Sequence, residues 1–345
     1  MALCYNIHMS LQRQVFLNSD GNGIDLLVVA VYSLLKHAVS GCPLHIFIAH
    51  DASFSARNGQ RTLCAVVSRF PFARLTFLDA TPLLERHAKV FSNSKSYWSP
   101  IIWAAPLCTE LLPPEVCGNL VYLDLDEMIL TDLEPLYSLD LASEGMIAAA
   151  VNESRREHRP YLVETGWPEE AGYAFNNATM VVDLDAYRRA DIPHLILDWF
   201  SKHCKTAICV DQDAQNAVLG TRTKRLPLCW NYSDGWLERG LLKCRPWAKE
   251  WRVHPKREVL EAILNPKIVH FVGRNKPLYR THRPERHRYL SLMRELGIPL
   301  RETPCRNEGR PTRPILPAQF EGYLFDIFHG LLRAYARILL RLTAQ

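Results

Sequence analysis

The sequence predicts an α/β protein built on a mixed, mostly parallel β-sheet, and three observations carry that expectation. Short apolar runs of strand length alternate with longer helical patterns through the first 80 residues, which is the βαβ rhythm of a parallel sheet. Two aspartates, Asp124 and Asp126, close an otherwise apolar run in NLVYLDLDEMIL (119–130), and open parallel sheets bind ligands just outside the carboxyl ends of their strands. The chain has 345 residues, 48% hydrophobic and 22% charged, so it is a globular protein able to bury one large core or two ordinary ones.

Taken in order, QVFLN (14–18) reads as the first buried strand, a short apolar run between polar flanks. IDLLVVAVYSLLKHA (24–38) is too long for a strand and reads as a helix. LHIFIA (44–49) returns to strand length, a helix follows near 58–69, and LTFLDA (75–80) makes a third strand. PLCTELLP (106–113) and HLILDWFSKH (194–203) read as helices, while NLVYLD (119–124), MIAAAV (146–151), TMVVDL (179–184) and KIVHFV (267–272) read as further strands. No internal repeat is visible. Residues 300–320 are rich in Pro, Arg and polar side chains and read as a linker, so the expected organisation is one main domain over 1–299, a linker over 300–321 and a helix over 322–342.

The acidic pair poses a chemical question. Residues i and i+2 of an extended chain point to one side, so Asp124 and Asp126 can face a single object. Like charges repel and burying either alone is expensive, whereas a divalent cation such as Mn²⁺ or Mg²⁺ removes both problems. A bare DxD is nonetheless more often an acidic strand exit solvated by water, so other segments have to decide.

Five segments in fixed order do so: FLNSDGN (16–22), VYLDLDEMILTDLEPLY (121–137), YAFNNATMVVDLDAYR (173–188), VDQDAQNAVL (210–219) and IVHFVGRNKPL (268–278). Together they resemble the nucleotide loop and the DxD, FNAG, DQD and HxxGxxKPW segments of glycosyltransferase family 8, which includes glycogenin and bacterial lipopolysaccharide galactosyl- and glucosyltransferases. The resemblance implies a GT-A, Rossmann-like catalytic domain, a UDP-sugar donor, Mn²⁺ (or Mg²⁺) and retention of anomeric configuration. It matches Asp124, Asp126 and His270 to the metal ligands, Gly273 and Lys276 to the diphosphate site, Asp20 and Asn22 to the uracil and ribose site, and Asn176 and Asp211 to residues around the donor sugar. Gln212 matches the side chain beneath the anomeric carbon. An amide is a poor nucleophile, so the resemblance implies a front-side displacement with Gln212 supporting the transition state.

The sequence also departs from that pattern. Ala105 stands where the family has an arginine that contacts the donor, Ala178 replaces the glycine of FNAG, Leu278 the tryptophan of KPW, and Gly21 and Gly23 the second Asp and the Tyr of SDDNY. The lost cation leaves the sugar open and permits an alternative, a degenerate nucleotide- or glycan-binding member with a structural or regulatory role. The segments 153–170 and 231–251, rich in aromatic and charged residues, are the candidates for acceptor choice.

Charge is uneven. The whole chain carries +5, but residues 252–345 hold 18 Lys and Arg against 8 Asp and Glu, leaving residues 1–251 at −5. An anionic partner is therefore expected at the C-terminal part. In GYLFDIFHGLLRAYARILLRL (322–342), Leu324, Ile327, Leu331, Tyr335, Ile338 and Leu342 share a stripe, with Arg333, Arg337 and Arg341 expected opposite. Such a helix suits an anionic membrane surface, and its alternative is packing of the stripe on the main domain or in a dimer. The N-terminus lacks a signal-peptide pattern, no run approaches the roughly 20 apolar residues of a span, and the ten scattered cysteines read as free thiols. The expected location is cytoplasmic, peripheral on the inner face of the membrane, with a glycan or lipid-linked acceptor and no nucleic acid.

Overall fold

The structure is a computed structural model that describes residues 13–92, 98–153, 164, 174–233, 253–273, 276–279, 285–301, 330–331 and 333–341. Ten strands are assigned: β1 (Arg13–Ser19), β2 (Leu44–His50), β3 (Ala73–Asp79), β4 (Asn119–Leu123), β5 (Glu127–Ile129), β6 (Ala148–Asn152), β7 (Phe175–Asp183), β8 (Thr223–Leu226), β9 (Tyr232–Ser233) and β10 (Ile268–His270). Seven of them form one sheet in the order β3-β2-β1-β4-β7-β6-β8. The pairs β3–β2, β2–β1, β1–β4 and β6–β8 are parallel, and β7 alone runs against its neighbours. The sheet is thus mixed and mostly parallel.

Both of its faces are covered, which is why its strands read as unbroken apolar runs. Val15 and Leu17 face a core completed by the helices Ile24–His37 and Gly59–Val67. Phe16, between them, faces the other core, with the helices Ile192–His203 and Val210–Leu219. Expected and observed elements agree along most of the chain, with two informative exceptions. The helix expected over 106–113 is only Cys108–Leu111, after a 3₁₀ turn at Pro100–Ala104. Pro106 and the Pro113-Pro114 pair bracket it, and proline restricts the residue before it. KIVHFV does contain a strand, but β10 belongs to a small second sheet, β5-β10-β9, in which it runs antiparallel to β5 and parallel to β9.

Two local features shape the carboxyl end of β4. One is a bulge: the β6–β7 register shifts between Ala150 and Val151, whose partners are Met180 and Asn176. It lets residues 176–179 turn toward the end of β4, a usual purpose of bulges beside functional sites. The other is the pairing of Glu127 with His270 across β5 and β10, which delivers His270 beside the residue that follows Leu125.

The C-terminal helix, described over 330–331 and 333–341, docks on the domain by a different face from the one its apolar stripe suggested. Ala336 is fully buried and Leu339 and Leu340 pack on the core. Arg333, expected on the far side, instead donates to the buried Glu285 at 2.6 Å. The described members of the stripe face outward, with Leu331 63%, Tyr335 49% and Ile338 56% exposed. Residues 302–329, which hold the expected linker from its third residue and the start of the expected helix, lie outside the described residues.

Candidate active site

β4 ends at Leu123, and the chain turns through Asp124, Leu125 and Asp126 before β5 begins. The turn is tied down by backbone bonds from Asp124 N–H to Ala178 O (2.9 Å) and from Phe271 N–H to Asp126 O (3.0 Å). Those two bonds bring β7, the acidic turn and β10 together. As a result, ligand atoms of Asp124, Asp126 and His270 all lie within 4.8 Å of one another, with His270 Nε2 3.5 Å from Asp126 Oδ1. Lys276 Nζ contacts Asp126 Oδ2 and donates to Phe271 O at 3.0 Å.

Electrostatics separates the two carboxylates. Burial and the neighbouring Asp126 charge push Asp124 up to about 7, against His270 and a hydrogen bond from Tyr122. Burial works against Asp126 too, but the Lys276 ammonium and His270 hold it well below the usual carboxylate range. One charge of the pair is thus compensated and the other is not. Two hard carboxylates and one borderline imidazole are the donor set that Mn²⁺ or Mg²⁺ accepts, and a divalent cation would settle the uncompensated charge; the residues fit the metal.

The next layer is a network of amides. Gln212, on the helix Val210–Leu219, donates from Nε2 to Glu153 Oε2 at 3.1 Å. Asn176 Nδ2 donates to the same oxygen at 3.0 Å and lies 3.3 Å from Gln212 Oε1. Asn177 donates to Asp211 Oδ2 at 2.7 Å. Burial, opposed by that bond, pushes Asp211 up to about 7. Asn231 joins the two layers, with Nδ2 2.7 Å from Asn176 Oδ1 and Oδ1 3.0 Å from His270 Nδ1.

The SDGN loop folds on itself. Asp20 Oδ1 accepts from the N–H groups of Asn22 (2.9 Å) and Gly23 (3.1 Å), leaving the Asn22 side chain exposed at the start of the helix Ile24–His37. Both glycines of the loop are sterically required. A Cβ on Gly21 would lie 2.5 Å from Ser53 O, and one on Gly23 would lie 2.6 Å from Ser19 Oγ and 3.0 Å from the Leu125 side chain. The approach of Ser53 to Gly21, and of Ser19 and Leu125 to Gly23, therefore leaves no room in this loop for an Asp or a Tyr. Gly273 has φ +91° with open space around it, the conformation that lets a backbone N–H face a ligand. Leu278, in the tryptophan's place, is a buried core residue, and Ala105 borders a small cavity beside Tyr122 and Gln215.

Asp124, Asp126, His270 and Lys276 thus form one cluster, Asn176, Asp211 and Gln212 a second, and Asp20 and Asn22 a loop held beside Leu125. Four further residues complete these groups: Tyr122 and Asn177, which the motifs did not single out, and Glu153 and Asn231, which open the two segments expected to choose the acceptor and here bond to Asn176. Tyr122, whose hydroxyl contacts Asp124 and lies 3.0 Å from Asn18 Oδ1, precedes Asp124 by two positions, so strand periodicity was a usable signal. Arg274, the other cation of the segment 268–278, and residues 154–163, 165–170 and 234–251 of the two expected acceptor segments lie outside the described residues.

The family model for glycosyl transferase family 8 matches residues 14–280. Among known proteins, General stress protein A of Bacillus subtilis is 28% identical over 187 residues, covering 53% of this chain and 61% of that protein. Probable galacturonosyltransferase-like 10 of Arabidopsis thaliana is 26% identical over 182 residues, covering 50% and 48%. The chain therefore spans between about half and 61% of the length of these relatives. The solved structure of the galactosyltransferase LgtC in complex with donor and acceptor sugar analogues superposes with a TM-score of 0.64 at 20% identity, over 82% of this chain and 95% of that one. That likeness shows the GT-A fold.

Proposed function

Because the chain belongs to glycosyl transferase family 8, whose model spans residues 14–280, and is on that ground a glycosyltransferase, we propose that it is a retaining hexosyltransferase. In this reading it moves a hexose from a UDP-sugar to a glycan, lipopolysaccharide or other lipid-linked acceptor, with Mn²⁺ or Mg²⁺. The observation that best supports it is the convergence of Asp124, Asp126 and His270 within 4.8 Å, beside Lys276.

Asp124, Asp126 and His270 would hold the cation, which supplies Lewis-acid stabilisation of the departing diphosphate. Lys276 adds a point charge there, and Gly273 offers its backbone N–H. Asp20 and Asn22 hold the uracil and ribose, Asn176 and Asp211 frame the donor sugar, and Gln212 lies beneath the anomeric carbon. An amide at that position supports front-side attack, with the acceptor oxygen arriving on the face that UDP leaves. Release of UDP from a panel of UDP-sugars tests the proposal. Turnover of a UDP-hexose in Mn²⁺ that stops in EDTA supports it, and full turnover in EDTA overturns it. Binding of UDP-sugar with no turnover of any would identify a non-catalytic member instead.

The membrane belongs to the same reading. The outward Leu331, Tyr335 and Ile338, beside the exposed Arg337 and Arg341, suit an interfacial helix on anionic lipid. No helix among the described residues is long and apolar enough to cross a membrane. Since Ala336 and Arg333 tie the helix to the domain, substitution tests this better than truncation. Leu331→Ser with Ile338→Ser should abolish sedimentation with phosphatidylserine vesicles at low salt while UDP-sugar hydrolysis persists. Unchanged sedimentation would remove the helix from the membrane.

A further inference from the structure

Asn176 has no hydrogen-bonding position to spare. Its Nδ2 donates to Glu153 Oε2 at 3.0 Å and reaches Gln212 Oε1 at 3.3 Å, while its Oδ1 accepts from Ala178 N–H at 3.1 Å and from Asn231 Nδ2 at 2.7 Å. The orientation of an amide is decided by partners that can play only one part. Here there are two such partners, one on each side. A glutamate carboxylate accepts only, and a backbone N–H donates only, so Nδ2 must face Glu153 and Oδ1 must face Ala178. The orientation of Asn231 is then set as well, because Asn176 Oδ1 can take only a donor and Asn231 must present Nδ2 to it. The opposite end of the Asn231 amide is its oxygen, and that oxygen sits 3.0 Å from His270 Nδ1.

We infer that Glu153, Ala178 N–H, Asn176 and Asn231 form a relay that fixes His270 as the Nδ1–H tautomer, leaving the Nε2 lone pair for the cation. The inference rests on the metal reading of Asp124, Asp126 and His270, and it assigns Glu153 and Asn231 as positioning residues. A neutral imidazole has one proton and one lone pair, and the hydrogen bond made by one nitrogen decides which atom can ligate. Nε2 is the nitrogen on the Asp126 side, 3.5 Å from Oδ1, so with Nδ1 keeping its proton for Asn231, any proton on Nε2 is the one a cation displaces, and Nε2 is the nitrogen that becomes the donor atom. The relay also begins where Gln212 is held. Glu153 Oε2 accepts from Gln212 Nε2 at 3.1 Å, so one carboxylate orients both the amide beneath the anomeric carbon and the histidine at the diphosphate end. Every group in the chain is buried: Glu153 is 1%, Asn176 6%, Asn231 2% and His270 6% exposed. Water therefore does not compete for these bonds, and an amide turned the wrong way would set donor against donor.

Long-range ¹H–¹⁵N correlation of ¹⁵N-histidine-labelled full-length protein in EDTA at pH 8 reads the tautomer directly, with His270→Gln identifying the signal. The wild type should show His270 as Nδ1–H. Asn231→Leu, which keeps the volume and removes the acceptor, should move it to Nε2–H and weaken Mn²⁺ binding, measured by titration with UDP present, about 10- to 100-fold. Asn231→Asp, which restores an acceptor opposite Nδ1, should return the Nδ1–H signal. An Nε2–H tautomer in the wild type, or an Asn231→Leu protein with wild-type tautomer and Mn²⁺ affinity, overturns the relay. A wild type with the Nδ1–H pattern that binds no Mn²⁺ leaves the relay standing and rejects the metal reading.

Discussion

The acidic turn and the amide network lie side by side at the carboxyl end of the sheet, yet they solve burial in opposite ways. In the amide network donors meet acceptors: Glu153 receives two amide N–H groups, Asn176 uses both ends of its side chain, and Asn216 closes onto Phe175 with two bonds. In the acidic turn the described residues supply one ammonium, Lys276, for two carboxylates, and Asp124 is pushed up to about 7 by burial and its neighbour. The lesson is that a network satisfied by the protein alone sets geometry, whereas one left with excess charge is arranged around something that arrives from outside.

The contrast predicts where removal of a side chain hurts most. Asp126→Ala, Asp124→Ala or His270→Ala should each cost several kcal/mol of transition-state stabilisation, about a thousand-fold or more in kcat/KM, with the circular dichroism spectrum unchanged. If those variants kept wild-type rates, the charged cluster would be an ion-pair network like any other. Lys276→Ala should cost about 2–4 kcal/mol, as loss of one preorganised donor does. In the amide network the effect should be smaller and of another kind. Gln212→Ala should lower kcat by about 1.5 kcal/mol, the scale of a single hydrogen bond, and change donor affinity less. A rise in donor KM with kcat intact would reassign Gln212 to ground-state binding.

The same contrast explains what was legible in the sequence. Buried strands announce themselves, and LHIFIA became Leu44–His50 almost residue for residue. KIVHFV was recognisable as a strand, but no local pattern says that β10 leaves the main sheet to pair with β5, a three-residue strand hidden behind the acidic motif. Residues carried by ordered motifs, such as Asp124, His270 and Lys276, could be matched one by one. Glu153 could not, because its meaning depends on Gln212, 59 positions away, and only tertiary packing joins them. The C-terminal helix teaches a related point. Its stripe was visible at 100° per residue, but the docked face is held by Ala336, Arg333, Leu339 and Leu340, residues that lie off that stripe.

Asp211 belongs to the amide network by position and to the acidic turn by chemistry, so it provides the finest test of the distinction. It accepts from Asn177 at 2.7 Å and from the backbone N–H groups of Asp211 and Gln212, yet burial outweighs these bonds and pushes it from 3.8 up to about 7. The sign of its contribution comes from proton counting. Between about pH 4 and pH 7 the folded protein keeps the Asp211 proton while the unfolded chain has released it. The native state binds more protons there, so stability falls as pH rises through this window and levels off above it. Asn at this position keeps an oxygen for Asn177 and has no proton to lose. Asp211→Asn should therefore match the wild type near pH 4 and exceed it by on the order of 1–3 kcal/mol at pH 8, in urea unfolding with EDTA present. If Asp211→Asn is less stable than the wild type at pH 8, the carboxylate is compensated in the fold and Asp211 belongs wholly to the satisfied network.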